Sequence, residues 1–340
     1  MEPFISIIIV SYNYAHFLPR ALNACANQTF RDFEIIIVNN GSTDNTQEII
    51  DQFCREHPKL RITVEKVEKN IGPANGYNIG ITLATGAYIL FNDADNWMEN
   101  DCLETLAAKA RETEADRVLG LYREVDTEGK KIREVSFEDG MSFWLFLEFQ
   151  GSIFRRSIFF EHNISCPVDI SPAVDIFISS RFLQYLRKKS WCNKVIYNYF
   201  VNPYSTSGVK SKSKWNSAEL TKTDFERIFM PVFNEIEDTA IQEEMEYTII
   251  KRYYTYLLNF NRYNSYTETL KNYKAAREII RKNLPCYLKC RKLTFFHKNG
   301  DRKNGRRMIW ILSRLEKLNL MGIALRLYVF LSKIMYLRPR

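Results

Sequence analysis

The chain has 340 residues, enough for one large domain or two ordinary ones, and its 46% hydrophobic and 14% aromatic content is that of a globular protein. Its seven cysteines form no C-x-x-C pair and its four histidines are scattered, which argues against a disulfide framework or a zinc site and for free thiols in a reducing cytosol. The net charge of +8 is uneven: residues 281–340 carry sixteen Lys and Arg against Asp301 and Glu316, a net of +14, which leaves 1–280 at −6. Such a tail suits an anionic partner, whether membrane lipid, nucleic acid or a phosphorylated substrate. No basic stretch precedes an apolar run at the start, and no run of about 18 uncharged apolar residues occurs anywhere, so the expected location is cytoplasmic.

Along the first hundred residues, strand and helix patterns alternate. Phe4 to Val10 is an isoleucine-rich apolar run, the mark of a strand buried on both faces. Residues 16–28 read as a helix, Glu34 to Val38 as a second strand, and "STDNTQEIIDQFCREH" as a second helix. Asp44 and Gln47, three apart, are expected to cap that helix reciprocally. "RITVEKV" reads as a third strand, Pro73 to Ala84 as a third helix and "AYILF" as a fourth strand. Alternation of this kind predicts an α/β domain with parallel pairing. A mixed pattern follows, with a helix expected from Val174 to Lys188 and a strand in "WCNKVIYNYF". "VNPYSTSGVKSKSKWNS" reads as a linker, and the remainder as helices, clearest in "TIIKRYYTYLLNF" and "RRMIWILSRLEKL". The expected domains are therefore 1–210 and a basic, mainly helical region over 211–340.

Open α/β sheets bind ligands beyond the C-terminal ends of their strands. Three such ends would line one crevice here: "SYN" (Ser11 to Asn13), "NNGSTD" (Asn39 to Asp44) and "NDADN" (Asn92 to Asn96). Neither G-x-G-x-x-G after the first strand nor G-x-x-x-x-G-K-[ST] occurs, so the usual dinucleotide and P-loop phosphate grips are missing. Asp93 and Asp95, on a turn with Ala94 between them, either form an ordinary acidic loop or hold a hard divalent cation, Mn²⁺ or Mg²⁺, together with substrate phosphates. Asn39 and Asn40 either lead into an Asn-Gly turn or offer an amide to a nucleobase or ribose. Four glycines around the third helix allow close backbone approach, to a ligand or simply to the sheet.

Order and spacing together make a more specific pattern than any of these pieces. "SYN", "QTFRDFEIIIVNNGSTD" and "NIGPANGYNIGITLATGAYILFNDADN" resemble the family 2 glycosyltransferases, densely over residues 4–110 and loosely to about 208. The resemblance implies a GT-A type fold, a Rossmann-like mixed sheet flanked by helices, and a metal-dependent, inverting transferase. Its substrates would be a nucleotide-diphosphate sugar, usually a uridine one, and a hydroxyl of a saccharide or lipid-linked glycan. On that pattern Val10, Ser11 and Tyr12 bind the base, and Asn40 stands where an aspartate is usual, as does Asn39. Asn70 and Tyr77 fall at donor-contacting positions, and Asp93 with Ala94 lies near the ribose. Asp95, with Asp93, corresponds to the metal-binding carboxylates. "SPAVDIFISSRFLQYL" resembles the helix start that carries the general base, which assigns that role to Asp175, with Asp169 in reserve and Val174 where glutamate is usual. Trp97, Tyr122, Trp144 and the loop at 202–208 are candidates for the acceptor pocket. The substitutions in "NNGS" and at Val174 also motivate the alternative of a non-catalytic sugar-nucleotide or glycan-binding homologue.

The basic, apolar stretch 306–340, with Trp310, Tyr328 and Tyr336, admits two readings: a peripheral anchor on an anionic membrane surface, or a helical pair packed on the catalytic domain. No recognition motif accompanies the basic tail, so no nucleic-acid partner is expected.

Overall fold

The computed structural model describes residues 2–136, 141–170, 173–202, 222, 224–261 and 264–336. They divide into two compact units, one from residues 1–137 with 148–202 and one from 138–147 with 203–340. The segment 138–147, which the sequence reading leaves in the first domain, thus groups with the second unit; the linker pattern after Asn202 lies outside the described residues.

In the first unit, β1 (Ile5–Ser11), β2 (Phe33–Asn40), β3 (Arg61–Val67) and β4 (Tyr88–Phe91) pair in parallel in the order β3-β2-β1-β4. Their connections are α1 (Leu18–Ala26), α2 (Thr46–Glu56) and α3 (Pro73–Leu83). β1 and β2 are almost wholly buried because helices cover both faces, whereas β3, exposed at Arg61, Thr63, Glu65 and Lys66, is the edge. Beyond β4 the sheet becomes mixed. β8 (Ser152–Arg155) is antiparallel to both β4 and β6 (Arg117–Val125), and β9 (Lys189–Phe200) runs parallel to β6. Two short strands, β5 (Trp97–Met98) on β9 and β7 (Lys131–Val135) on β6, complete it. α4 (Cys102–Thr113), α5 (Arg156–Glu161) and α6 (Val174–Leu183) supply the remaining helices.

Two local expectations change. Asp44 does not form a capping box with Gln47; its carboxylate accepts from the Thr46 N–H (3.1 Å), the Thr46 hydroxyl (2.6 Å) and the Ala15 N–H (3.2 Å). Gln47 instead accepts from Asn39 (2.7 Å) and donates to Asp51 (2.8 Å), because tertiary partners outcompete the local reciprocal bond. α6 stops at Leu183, five residues before Lys188, where the Arg187 and Lys188 N–H groups bond the Asp116 carboxylate (2.9 Å each) instead of continuing a helix. Of the two readings of its glycines, α3 shows close approach to the sheet: a Cβ added at Gly76 or Gly80 would come within 2.5 Å of Val10 Cγ1 or 2.3 Å of Ile8 Cγ2.

The second unit is helical: α7 (Met230–Glu235) after a π-turn, α8 (Thr239–Phe260), α9 (Tyr266–Asn283), α10 (Lys303–Lys317) and α11 (Met321–Tyr336). Asp238 caps α8 by accepting from the Ala240 and Ile241 N–H groups (2.8 and 3.1 Å), and Ser265 caps α9 by accepting from the Glu268 N–H (3.2 Å). At its centre Glu316 is wholly buried and accepts from the hydroxyls of Tyr253 (3.2 Å), Tyr254 (2.7 Å), Tyr273 (3.2 Å) and Tyr287 (2.6 Å), with Arg277 Nε at 3.0 Å. All seven cysteines are free thiols. Among the described residues no helix is long and apolar enough to cross a membrane.

Candidate active site

Register brings three polar strand ends to one edge of the sheet. Ser11 of β1 stands opposite Asn39 of β2, and Ile8 opposite Phe91, the last residue of β4. The Asn92 N–H still bonds the Ile8 carbonyl (2.9 Å), after which the chain turns through Asp93 and Asp95, closed by the Asn96 N–H on the Asp93 carbonyl (3.1 Å). The ends of β1 and β2 are tied across: the Thr43 N–H donates to Asn13 Oδ1 (2.8 Å), the Asn13 N–H to Ser42 Oγ (3.0 Å) and the Ser42 N–H to Asn39 Oδ1 (3.1 Å). Asn13 holds a left-handed φ of 55°, a conformation asparagine tolerates better than most residues. Gly41, at φ 73°, admits no side chain, since a Cβ there would lie 2.2 Å from the Lys69 carbonyl carbon.

Asn40 is turned inward. Its Nδ2 donates to the Gly72 carbonyl (3.0 Å) and Asn70 Oδ1 (3.2 Å), while its Oδ1 accepts from the Ile71 N–H (3.3 Å). An aspartate could accept the last of these but could donate neither of the first two. The amide at this position therefore holds the 70–72 loop, with Asn70 exposed upon it.

In the acidic turn, Tyr77 of α3 donates its hydroxyl to Asp93 Oδ1 (2.7 Å) and Asn96 donates its amide to Asp93 Oδ2 (2.9 Å). Asn202 donates to Asp95 Oδ2 (3.1 Å), and Arg20 of α1 donates to the Asp95 carbonyl (2.9 Å) while its guanidinium stacks 3.7 Å over the Trp97 ring. Asp95 is buried, and burial together with the nearby Asp93 charge pushes its carboxyl up to about 6. Burial also raises the Asp93 carboxyl, against the pull of its two hydrogen bonds, and it raises the Tyr77 hydroxyl well above the usual range, helped by Asp93. Such a site disfavours two uncompensated negative charges and gains from a cation. Nearby, Ser11 Oγ and Asn92 Oδ1 are buried without a hydrogen-bond partner, Ala94 is buried and Tyr12 is exposed.

Asp175 sits in the first turn of α6 and accepts from the Ile176 N–H (2.9 Å). Its charge contributes to the upward shift of the Tyr77 hydroxyl, so it shares the locality of the Tyr77–Asp93 pair. Asn78, next to Tyr77, clamps the Cys166 backbone in both directions (2.8 Å each), which ties the approach to α6 onto α3. Val174 is buried in the core, which accounts for an apolar residue there, and Asp169 is an exposed turn residue. Ser171 and Pro172 of the helix-start motif, and residues 203–208 of the acceptor loop, lie outside the described residues. Trp144 belongs to the second unit, while Trp97 and Tyr122 belong to the first. Arg20 and Asn78 were not singled out by sequence reasoning, and Asn202 entered it only as the start of the acceptor loop, not as a partner of Asp95; each acts through a tertiary partner 75 to 107 residues away, and no local pattern signals that.

A sequence model described as "Glycosyl transferase family 2" matches residues 6–172. Through that half the chain belongs to glycosyl transferase family 2. Glycosyltransferase GlyG of Streptococcus pneumoniae is 35% identical over 126 residues, 37% of this chain and 41% of that one. Poly(ribitol-phosphate) beta-N-acetylglucosaminyltransferase TarS of Staphylococcus aureus is 24% identical over 275 residues, 78% of this chain and 46% of that one. Across the curated relatives named here the chain thus spans less than half of their length. Among solved structures, S. aureus TarS 1–349 in complex with UDP-GlcNAc superposes with a TM-score of 0.68 at 19% identity, covering 92% of each chain, a likeness of fold. A mannosyltransferase from Pyrobaculum calidifontis, in complex with GDP-Man and Mn²⁺, superposes at 0.52 with 16% identity, covering 94% and 88%. The GT-A type fold of this family 2 member, a mixed sheet flanked by helices and followed by a helical region, is as the sequence resemblance implied.

Proposed function

We propose that this family 2 member transfers a sugar from a nucleoside-diphosphate donor, a uridine one, to a hydroxyl of a saccharide or lipid-linked glycan in cell-surface polysaccharide synthesis, inverting the anomeric centre. The observation that carries it is the Tyr77–Asp93 bond in the turn that also holds Asp95, just past the C-terminal end of β4, where α/β sheets take ligands. The TarS complexes with UDP-GlcNAc and UDP, on the same fold, support the choice of donor.

Val10, Ser11 and Tyr12 face the base and ribose, and the unpaired Ser11 Oγ and Asn92 Oδ1 are polar atoms a bound nucleotide would satisfy. Asn40 acts by holding Asn70 and its loop in place. The donor set fits a divalent cation: among the described residues no cluster of three acidic or thiol ligands exists, but one buried carboxylate plus diphosphate oxygens is how such ions are commonly held. Asp95 would hold Mn²⁺ or Mg²⁺, with Asp93, whose oxygens are engaged by Tyr77 and Asn96, behind it. When bound, the ion supplies countercharge for the departing diphosphate. Asp175 accepts the proton of the acceptor hydroxyl as it attacks from the face opposite the leaving group.

The test is turnover of a panel of nucleotide sugars with Mn²⁺. Wild type is expected to consume a UDP-sugar, Asp95→Ala to lose on the order of 10²-fold or more in rate, and Asp175→Asn on the order of 10²-fold to 10⁴-fold. Undiminished transfer in Asp175→Asn would refute it as the base. Binding of donor by wild type without turnover of any donor would favour the non-catalytic homologue.

A further inference from the structure

The two acids of residues 281–340 are both spent inside the second unit. Asp301, almost wholly buried, accepts from Tyr247 (2.9 Å) and Lys251 (2.8 Å), and Glu316 accepts from four tyrosines. Among the described residues, the outer surface of this segment therefore carries cations and no side-chain carboxylate. It also carries apolar side chains where solvent-facing residues belong. On α10, Met308 and Ile311, with Leu318 just past the helix end, project at helical spacing; on α11, Ile323, Leu327 and Phe330 do the same, and Leu318, Ile323 and Phe330 are 66%, 63% and 61% exposed. Helical spacing sets Arg307, Arg314 and Lys317 in a row along one flank of the α10 stripe, with Trp310 among them and the Arg314 guanidinium over its ring. Arg326 is exposed between Ile323 and Leu327.

We infer that α10 and α11 form a docking surface for an anionic lipid bilayer, on which they lie rather than cross. Exposed apolar stripes on neighbouring helices are more than a solvated surface ordinarily shows. Helices of 15 and 16 residues are too short to span, but an apolar face rimmed by Lys, Arg and Trp suits the headgroup boundary. An uncompensated cationic rim selects anionic lipid, and it disfavours the rival occupant, a second copy, whose matching rim would repel it. This inference does not depend on the transfer chemistry of the first unit.

The experiment is flotation of the full chain with phosphatidylglycerol-containing vesicles and with pure phosphatidylcholine vesicles. Binding is expected to be at least about tenfold stronger to the anionic vesicles and to weaken with salt. Leu327→Glu with Phe330→Glu, at exposed positions that leave the fold intact by circular dichroism, should weaken it at least about tenfold. Lys317→Gln with Arg326→Gln should remove most of the preference for anionic vesicles. No binding, equal binding to both vesicles, or binding indifferent to the Leu327 and Phe330 changes overturns the inference. So does a lipid-free dimer that the same two changes abolish.

Discussion

At the residue scale, Tyr77 has one polar task, to donate to Asp93, and does so from a helix locked onto the sheet. Tyr77→Phe keeps the ring packed on Phe91 and Phe149 but leaves Asp93 one donor short. Donor turnover is expected to fall about tenfold, in line with about 1.5 kcal/mol for a hydrogen bond to a charged group, with circular dichroism unchanged. Asp44 offers a prediction in pH. Burial raises its carboxyl, but bonds from the Thr46 hydroxyl and the Ala15 and Thr46 N–H groups outweigh that and leave it below the ordinary value. A depressed native pKa gives stability present above the unfolded value and lost as pH falls through the folded one. Asp44→Ala should therefore cost about 1 kcal/mol in urea unfolding at pH 7, and the gap to wild type should close below about pH 4. Asp93 and Asp95 were legible in the sequence because a carboxylate pair on a turn after a buried strand stands out. The inward amide of Asn40 was not, since only the fold reveals that its donors are taken by Gly72 and Asn70.

At the element scale, α3 does more than connect β3 to β4. Its glycines face β1, Tyr77 reaches the acidic turn, and Asn78 holds the approach to α6. Gly80→Ala would drive a methyl into Ile8 Cγ2, a branched core atom that cannot swing away. Overpacking of this kind is expected to cost about 1–3 kcal/mol in chemical unfolding. The alternation of elements was legible over the first hundred residues because isoleucine runs and amphipathic stretches have distinct periods. The end of α6 was not, because Asp116, far back in the chain, captures the backbone that would have extended it. The same holds for the start of α2, where Asp44 and Gln47 turn to Ala15 and Asn39.

At the scale of the whole molecule, the two units rest on different cores, isoleucine-rich strands with a packed phenylalanine group in the first and, in the second, tyrosines around a buried carboxylate. Removing that carboxylate leaves Arg277 without its counter-charge and strands the buried hydroxyls. Glu316→Ala is thus expected to destabilise the helical unit by about 3–5 kcal/mol. The proposed UDP-sugar binding, assigned to the first unit, should persist in this variant at temperatures where the second unit has already unfolded. The helical character of the second half was legible in sequence, but its interior was not, because nothing local marks four hydroxyls as converging on one glutamate.

The short segment 138–147 has a last consequence. The chain leaves the first unit before it, returns at Glu148 and departs again after Asn202. Phe143 and Trp144 on this excursion are buried. A recombinant swap of halves between relatives, made by one crossover near residue 202, would carry these two aromatic rings into a partner they had not evolved with. Only an exchange that moves the ten residues with the helices would keep each hybrid soluble.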